Sequence, residues 1–250
     1  MSENRPLTNR VALVTGASRG MGKSIAAALA RAGAQVAMND LKAAEIEPAA
    51  AEIGPSAMPY QVDVSRRDQV AGMVQDIVAR FDRIDILVNN AGTLRSTRFD
   101  RIDEAEWDLV LNVNLKGVFL VSRLVVPVMQ ERGYGRIVNT SSIAGRNVSD
   151  LGGAHYTASK AGVLGLTRHM AKELGVHGIN VNAICPGMID TEMARENSSA
   201  EELASYAASY PIPRLGTPEE VARVVLFLVS DQASYVTGAS IDINGGDLMI

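Results

Sequence analysis

The sequence predicts an α/β protein: a doubly wound, seven-stranded, mostly parallel sheet with helices on both faces. Three observations carry that expectation. Short apolar runs alternate with stretches of helical periodicity along almost all of the 250 residues. The first run enters a glycine-rich turn that opens a helix, an arrangement that places backbone N–H groups where a phosphate can bind. No internal repeat or low-complexity linker interrupts the alternation, so residues 1–250 read as a single domain.

The elements follow in order. "RVALVT" (Arg10–Thr15) is a buried strand running into the glycine turn. From Gly20 to Ala32 the residues Ile25, Ala28, Leu29 and Ala32 recur at helical spacing, and Gly33 supplies the stop. "AQVAMN" is a second strand reaching Asp40. "AMPYQV", just before Asp63, is a third, and Ser65 is placed to cap the helix after it. "RIDILVNN" is the fourth. A long helical stretch covers roughly Glu104–Arg132, with a kink or break expected at Pro127. "GRIVNTSS" is the fifth strand, and a helix follows from about His155 to Leu174. "INVNAI", the helix "PEEVARVVLFLVS" and "ASIDIN" complete the alternation. The least regular interval, 188–217, follows a strand end and contains Pro211 and Pro213. Ligands bind outside the carboxyl ends of such strands, so this interval reads as a substrate lid, with a plain surface excursion as the other reading.

Composition excludes several classes. The chain is 47% hydrophobic and 21% charged, ordinary for a soluble protein with a sizeable core. The net charge of −4 and the scattered Lys/Arg give no basic stripe for nucleic acid. "MSENRPLTNR" lacks the apolar core of a signal peptide and reads as a polar lead-in, and "VVLFLV" is far too short to span a bilayer. The single cysteine, Cys185, suits a reducing compartment, and a cytoplasmic location with no membrane partner is expected. His155, His169 and His177 have no metal-ligand spacing, so no metal is expected.

"TGASRGMGKS" (Thr15–Ser24) admits two readings. A triphosphate loop needs Gly, four residues, then Gly-Lys-Ser or Gly-Lys-Thr. Counting back from Gly22-Lys23-Ser24, the first glycine position is occupied by Ala17, and that reading fails. In the dinucleotide reading Gly16 makes the tight turn, while Gly20 and Gly22 let the backbone approach a pyrophosphate. Asp40 lies 18 residues past Gly22, at a strand end where a carboxylate can bind the adenosine ribose hydroxyls.

Five motifs come in order: "TGASRGMG", "NNAG" (Asn89–Gly92), "SSIAG" (Ser141–Gly145), "YTASK" (Tyr156–Lys160) and "PGMIDT" (Pro186–Thr191). Over nearly the whole chain the set resembles the short-chain dehydrogenase/reductase family, in its compact single-domain branch. The resemblance implies a Rossmann-type fold, a nicotinamide coenzyme, and hydride exchange with a secondary alcohol or ketone. The chemistry also follows from the residues. Tyr156 and Lys160 are four apart on a predicted helix, so both face one way. A nearby ammonium favours the phenolate, and Tyr156 can then exchange a proton with a substrate oxygen.

The resemblance further implies that Ser142 holds the substrate oxygen, with Ser141 the competing serine, and that Asn114 holds a water feeding a relay through Lys160. Asn112 is the alternative within the same "NVNLKG" motif. It implies coenzyme contacts from Gly16, Ser18, Arg19, Gly20, Met21, Gly22, Asp40, Asp63, Val64, Asn90, Ala91, Gly92, Tyr156, Lys160, Pro186, Gly187, Ile189 and Thr191. Arg19 resembles the basic residue that NADP-using relatives place near the 2′-phosphate, whereas the Asp40 carboxylate repels a 2′-phosphate and favours NAD. NAD is the expected coenzyme, with NADP the alternative.

Arg95, Arg98, Arg146 and Arg195 fall in segments expected to border the cleft, and suggest a small anionic substrate. The alternative is that they are solvated surface residues. Relatives assemble as tetramers or dimers, and the apolar residues Val118, Leu120, Val121, Leu124 and Val125 favour a homotetramer. Two other functions stay open. One is an NADPH-dependent reductase of 3-oxoacyl thioesters on acyl carrier protein, which shares every motif. The other is a non-catalytic dinucleotide sensor, against which the intact Ser142–Tyr156–Lys160 set speaks.

Overall fold

A computed structural model describes residues 5–149 and 151–250. The first four residues of the expected polar lead-in lie outside the described residues. Among the described residues seven strands form one sheet: β1 (Val11–Thr15), β2 (Gln35–Asp40), β3 (Ala57–Gln61), β4 (Ile86–Asn89), β5 (Gly135–Thr140), β6 (Ile179–Pro186) and β7 (Ser240–Ile243). Their order is β3-β2-β1-β4-β5-β6-β7, and every pairing is parallel. The chain reverses direction across the sheet between β1 and β4, which opens a crevice at their carboxyl ends.

Helices cover both faces because each central strand is apolar on both sides. Alternate residues divide between two cores. Ala12 and Val14 of β1, with Val36 and Met38 of β2, pack under α1 (Gly20–Arg31) and α9 (Pro218–Val229), through Ile25, Leu29, Val221 and Val225. Val11 and Leu13, with Leu87, Ile137 and Val181, face α3 (Arg67–Phe81), α5 (Gly117–Arg132) and α6 (Ala154–Leu174). Val74, Ile77, Val125 and Met129 fill that second core.

Several local expectations are corrected. Helix α2 (Ala43–Ile53) lies between β2 and β3, where the sequence reading placed none; Pro48 inside it obscures the pattern. Helix α5 runs unbroken through Pro127, because that proline is exposed, as is Arg123, whose carbonyl loses its partner to solvent. The irregularity comes earlier, where α4 (Glu104–Leu111) passes through a π turn at Asn112–Lys116 before α5. By length and composition Glu104–Arg132 is apolar enough to cross a membrane, yet its buried residues seat it against the sheet as a core helix. Ser65 does not cap α3: Arg66 holds that position, and Ser65 donates through its N–H (2.9 Å) and hydroxyl (2.7 Å) to Asp63. The interval 188–217 carries α7 (Glu192–Asn197), capped by Thr191, and α8 (Ala200–Ser209), opened by a reciprocal Ser199–Glu202 capping box.

At the amino-terminal end of the sheet, Asp85 is almost fully buried and completely partnered. Its Oδ2 accepts from Val11 N (2.8 Å) and Arg83 Nε (2.8 Å), and its Oδ1 from Arg10 (3.2 Å) and Arg83 Nη2 (2.5 Å). The Tyr134 ring stacks against Arg10 and Arg136, with the guanidinium carbons 3.8 and 4.3 Å from its centroid.

Candidate active site

The glycine turn is shaped for close approach. Gly16 has φ +63°, and a side chain there would collide with Ala91. At Gly22 a Cβ would lie 2.0 Å from Gly16 O and 2.6 Å from Asn90 Nδ2. Asn90 locks the turn by donating from Nδ2 to Gly16 O (2.9 Å) and Thr15 O (3.2 Å). Thr15 Oγ1 accepts from the Asn90 and Ala91 N–H groups, both at 3.0 Å. Strand β4 is thereby tied to the turn after β1.

A long cleft runs from this turn along the carboxyl ends of the strands. Gly16, Ser18, Arg19, Gly20, Met21, Gly22, Asp40, Asp63, Val64, Asn90, Ala91, Gly92, Tyr156, Lys160 and Thr191 line it. The other three residues assigned to the coenzyme, Pro186, Gly187 and Ile189, line a smaller adjoining cavity with Ser142 and Tyr156. A dinucleotide fits this lining: Asn90 Oδ1 and Thr140 Oγ1 are buried without hydrogen-bond partners. Asp40 accepts from the Ser18 hydroxyl (2.8 Å), Ser18 N (3.2 Å) and Leu41 N (2.7 Å), which fixes its carboxylate at the far end of the cleft.

The two candidate serines are held differently. Ser141 is buried and donates to Lys160 O (2.8 Å), while Ser142 caps the turn Ile143–Gly145 by accepting from Ala144 N (3.1 Å). Burial pushes the Tyr156 phenol above its ordinary range, and a hydrogen bond with Ser142 pulls it partly back. The Lys160 ammonium sits 5.6 Å from the Tyr156 ring centroid and donates to Thr140 O (2.8 Å). Among the described residues no carboxylate pairs with it, and burial lowers it to about 8. The expected lowering of the phenol by Lys160 is not seen: burial raises it, and only the Ser142 hydrogen bond works against that.

Asn114 is buried beneath Gly92 and knits three segments. It accepts from Thr93 N (2.8 Å), and it donates to Thr93 O (2.9 Å) and Ser159 Oγ (3.1 Å). Ser159 in turn donates to Tyr156 O (2.7 Å). A side chain at Gly92 would sit 3.4 Å from Asn114 Oδ1 and 3.7 Å from Lys160 Nζ, so asparagine and lysine flank one small space. Asn112, the alternative, starts the π turn and is less buried. His155 has a role the sequence did not suggest: its fully buried ring accepts from Tyr156 N (2.9 Å) and bonds Glu106 (2.8 Å), anchoring the first turn of α6.

The arginines assigned to substrate do not converge on the smaller cavity. Arg146 pairs with Asp242 on β7 (3.0 Å) and donates to Ser240 O (2.5 Å). Arg195 is exposed and held by Asp190, and Arg98 is exposed beside Asp100. Arg95 borders only the larger cleft and donates to Leu94 O and Thr93 Oγ1. Each finds a nearer acceptor within its own stretch of chain or on β7. The smaller cavity is walled instead by Leu94, Ile143, Leu151, Met188, Met193 and Tyr210. Cys185 lies buried behind the site, its thiol pushed up by burial.

A phosphate-cradling turn at a topological switch point, beside a Ser–Tyr–Lys set, defines a dinucleotide-dependent oxidoreductase. A family model described as enoyl-(acyl carrier protein) reductase matches residues 16–247. The chain is 44% identical over 244 residues to the 3-oxoacyl-[acyl-carrier-protein] reductase of Thermotoga maritima, covering 96% of this chain and 98% of that one. It is 45% identical over 239 residues to the acetoacetyl-CoA reductase of Rhizobium meliloti, covering 95% and 98%. A crystal structure of a Brucella melitensis 3-oxoacyl-[acyl-carrier protein] reductase with bound NAD superposes with a TM-score of 0.91 at 36% identity, covering 99% of this chain and 94% of that one. The chain belongs to the short-chain dehydrogenase/reductase family.

Proposed function

We propose that this oxidoreductase reduces the 3-oxo group of an acyl thioester to a 3-hydroxy group. The apolar cavity beside Ser142 and Tyr156 carries the reading. Its Leu, Ile and Met walls suit an acyl chain, and no arginine, lysine or histidine lines it to pair with a carboxylate or phosphate. The names of the two curated relatives point to the same substrate class. When bound along the cleft, a reduced nicotinamide coenzyme supplies the hydride. Ser142 and Tyr156 hold the carbonyl oxygen, and Tyr156 delivers the proton as charge develops there. Lys160 keeps positive charge beside the phenol, and Asn114 fixes the helix that carries both. Residues 188–217 act as the lid of one catalytic domain, and the assembly is a homotetramer.

NAD is the proposed coenzyme, because Asp40 stands where the adenosine ribose would lie and would repel a 2′-phosphate. The test is a substrate panel in both redox directions, with acetoacetyl-CoA against short free ketones and secondary alcohols. The thioester should give the highest kcat/KM, and a preference for a free ketone or polyol overturns the substrate reading. Wild type should prefer NAD, and Asp40→Ser should move the ratio towards NADP. Light scattering at micromolar concentration should give a tetramer mass.

A further inference from the structure

We infer that Glu196, on lid helix α7, is a determinant of coenzyme choice that acts by occupying Arg19 across the cleft. Arg19 sits in the glycine turn, at the place from which a guanidinium could reach a phosphate on the adenosine ribose. It is not available there. Both of its terminal nitrogens are engaged by the Glu196 carboxylate, one of them at 3.0 Å, in a forked pair that bridges 177 positions of sequence. Glu45 and Glu192 add further negative potential and hold the guanidinium charged.

The second cation at this end of the cleft is also spoken for: Lys42 pairs with Glu45 at 2.7 Å. Asp40 adds a carboxylate that accepts from the Ser18 N–H and hydroxyl and the Leu41 N–H, all neutral donors. A 2′-phosphate would thus meet four carboxylates and two cations that each already have a partner. A plain ribose with two hydroxyls disturbs neither pair. The two sequence signs that point in opposite directions, Arg19 and Asp40, are reconciled by a third residue, and that residue belongs to the lid. The pair also ties α7 to the glycine turn, so a coenzyme that draws Arg19 away loosens the lid's hold at the same time.

The inference rests on the reading of this cleft as a coenzyme site, and its test reads binding rather than turnover. Calorimetry with 5′-AMP and with adenosine 2′,5′-bisphosphate isolates the phosphate at issue. Glu196→Gln keeps the shape and removes the charge on an exposed side chain. Its affinity for the bisphosphate should rise about two- to five-fold, the range an exposed ion pair supports. Its affinity for 5′-AMP should stay unchanged. The gain should shrink as salt is raised, and Arg19→Met in the same chain should abolish it. An unchanged bisphosphate-to-AMP ratio in Glu196→Gln overturns the inference, as does a gain that survives Arg19→Met. If neither nucleotide binds wild type, the cleft is not the coenzyme site and both readings fall. If wild type already favours the bisphosphate, the NAD assignment falls, and the ratio change still judges Glu196.

Discussion

The two ends of the sheet solve the same problem in opposite ways. Each takes charged groups out of water. At the amino end, Asp85 receives two arginines and a backbone N–H, and hydrogen bonding to Asp85 raises Arg83. At the carboxyl end, Lys160 receives one carbonyl and no carboxylate, and its ammonium drops to about 8. The Asp85 carboxylate is finished within the chain, although Arg136 Nε nearby is buried without a hydrogen-bond partner. The carboxyl end leaves Asn90 Oδ1 and Thr140 Oγ1 unpartnered beside an open cleft. A buried polar group without a partner costs stability, so where it lines an open cleft its position marks a place for a ligand to complete the structure.

The largest expected effect is at the unfinished end. Tyr156→Phe keeps the ring and removes the exchangeable proton, so kcat should fall by about 10²- to 10⁴-fold. Coenzyme affinity, followed by fluorescence, should hold; near-normal turnover would sink the catalytic assignment. The finished end should respond in stability alone. Asp85→Ala leaves Val11 N–H buried without an acceptor and removes the partner of two arginines, at a cost of about 2–4 kcal/mol in urea unfolding. Its kcat per folded molecule should match wild type. A catalytic defect of ten-fold or more would show that the two ends are not separate.

Lys160 sharpens the contrast through pH. Its folded value near 8 lies below the ordinary 10.5, so between those limits the unfolded chain binds more protons and stability rises with pH. The burden of burying the ammonium is full below pH 8 and is relieved towards 10.5. Lys160→Met should therefore lose activity yet unfold later than wild type at pH 7, by on the order of 2–3 kcal/mol. That gap should close as pH rises through 8 to 10.5. A variant less stable than wild type at pH 7 breaks the comparison. The smallest effect belongs to Arg195, whose partner Asp190 is equally exposed. Arg195→Ala should leave KM within about two-fold and stability within about 0.5 kcal/mol.

What the sequence made legible was whatever depends on neighbours in the chain. Strand β1 and its glycine turn are contiguous, and Tyr156 and Lys160 share one helix, so spacing alone aligned them. Helix α8 was also legible in principle, since the Ser199–Glu202 capping box is a local signal. What stayed hidden depends on partners far away in sequence. Nothing near Arg146 announces Asp242, which lies two strands across the sheet edge, so an arginine that locks a loop resembles one that awaits a substrate. His155 likewise looked idle until Glu106 came within 2.8 Å. The break in Glu104–Arg132 fell at the π turn rather than at Pro127, because packing around Asn114 outweighs the lost hydrogen bond of an exposed proline.

The strand order has a consequence for how the chain is made. Strand β1 leaves the ribosome ahead of the other six strands, and its outer neighbour β2 follows almost at once. Its inner neighbour is β4, so Val14 pairs with Val88. At usual synthesis rates, roughly 4–15 s pass before that partner exists. During this interval one edge of a strand that is wholly buried in the finished fold is open, and Asn90 has not yet locked the glycine turn. Nascent chains stalled between β3 and β4 should therefore be the ones that chaperones hold and proteases cut. Release should coincide with the emergence of the segment that closes the nucleotide cradle.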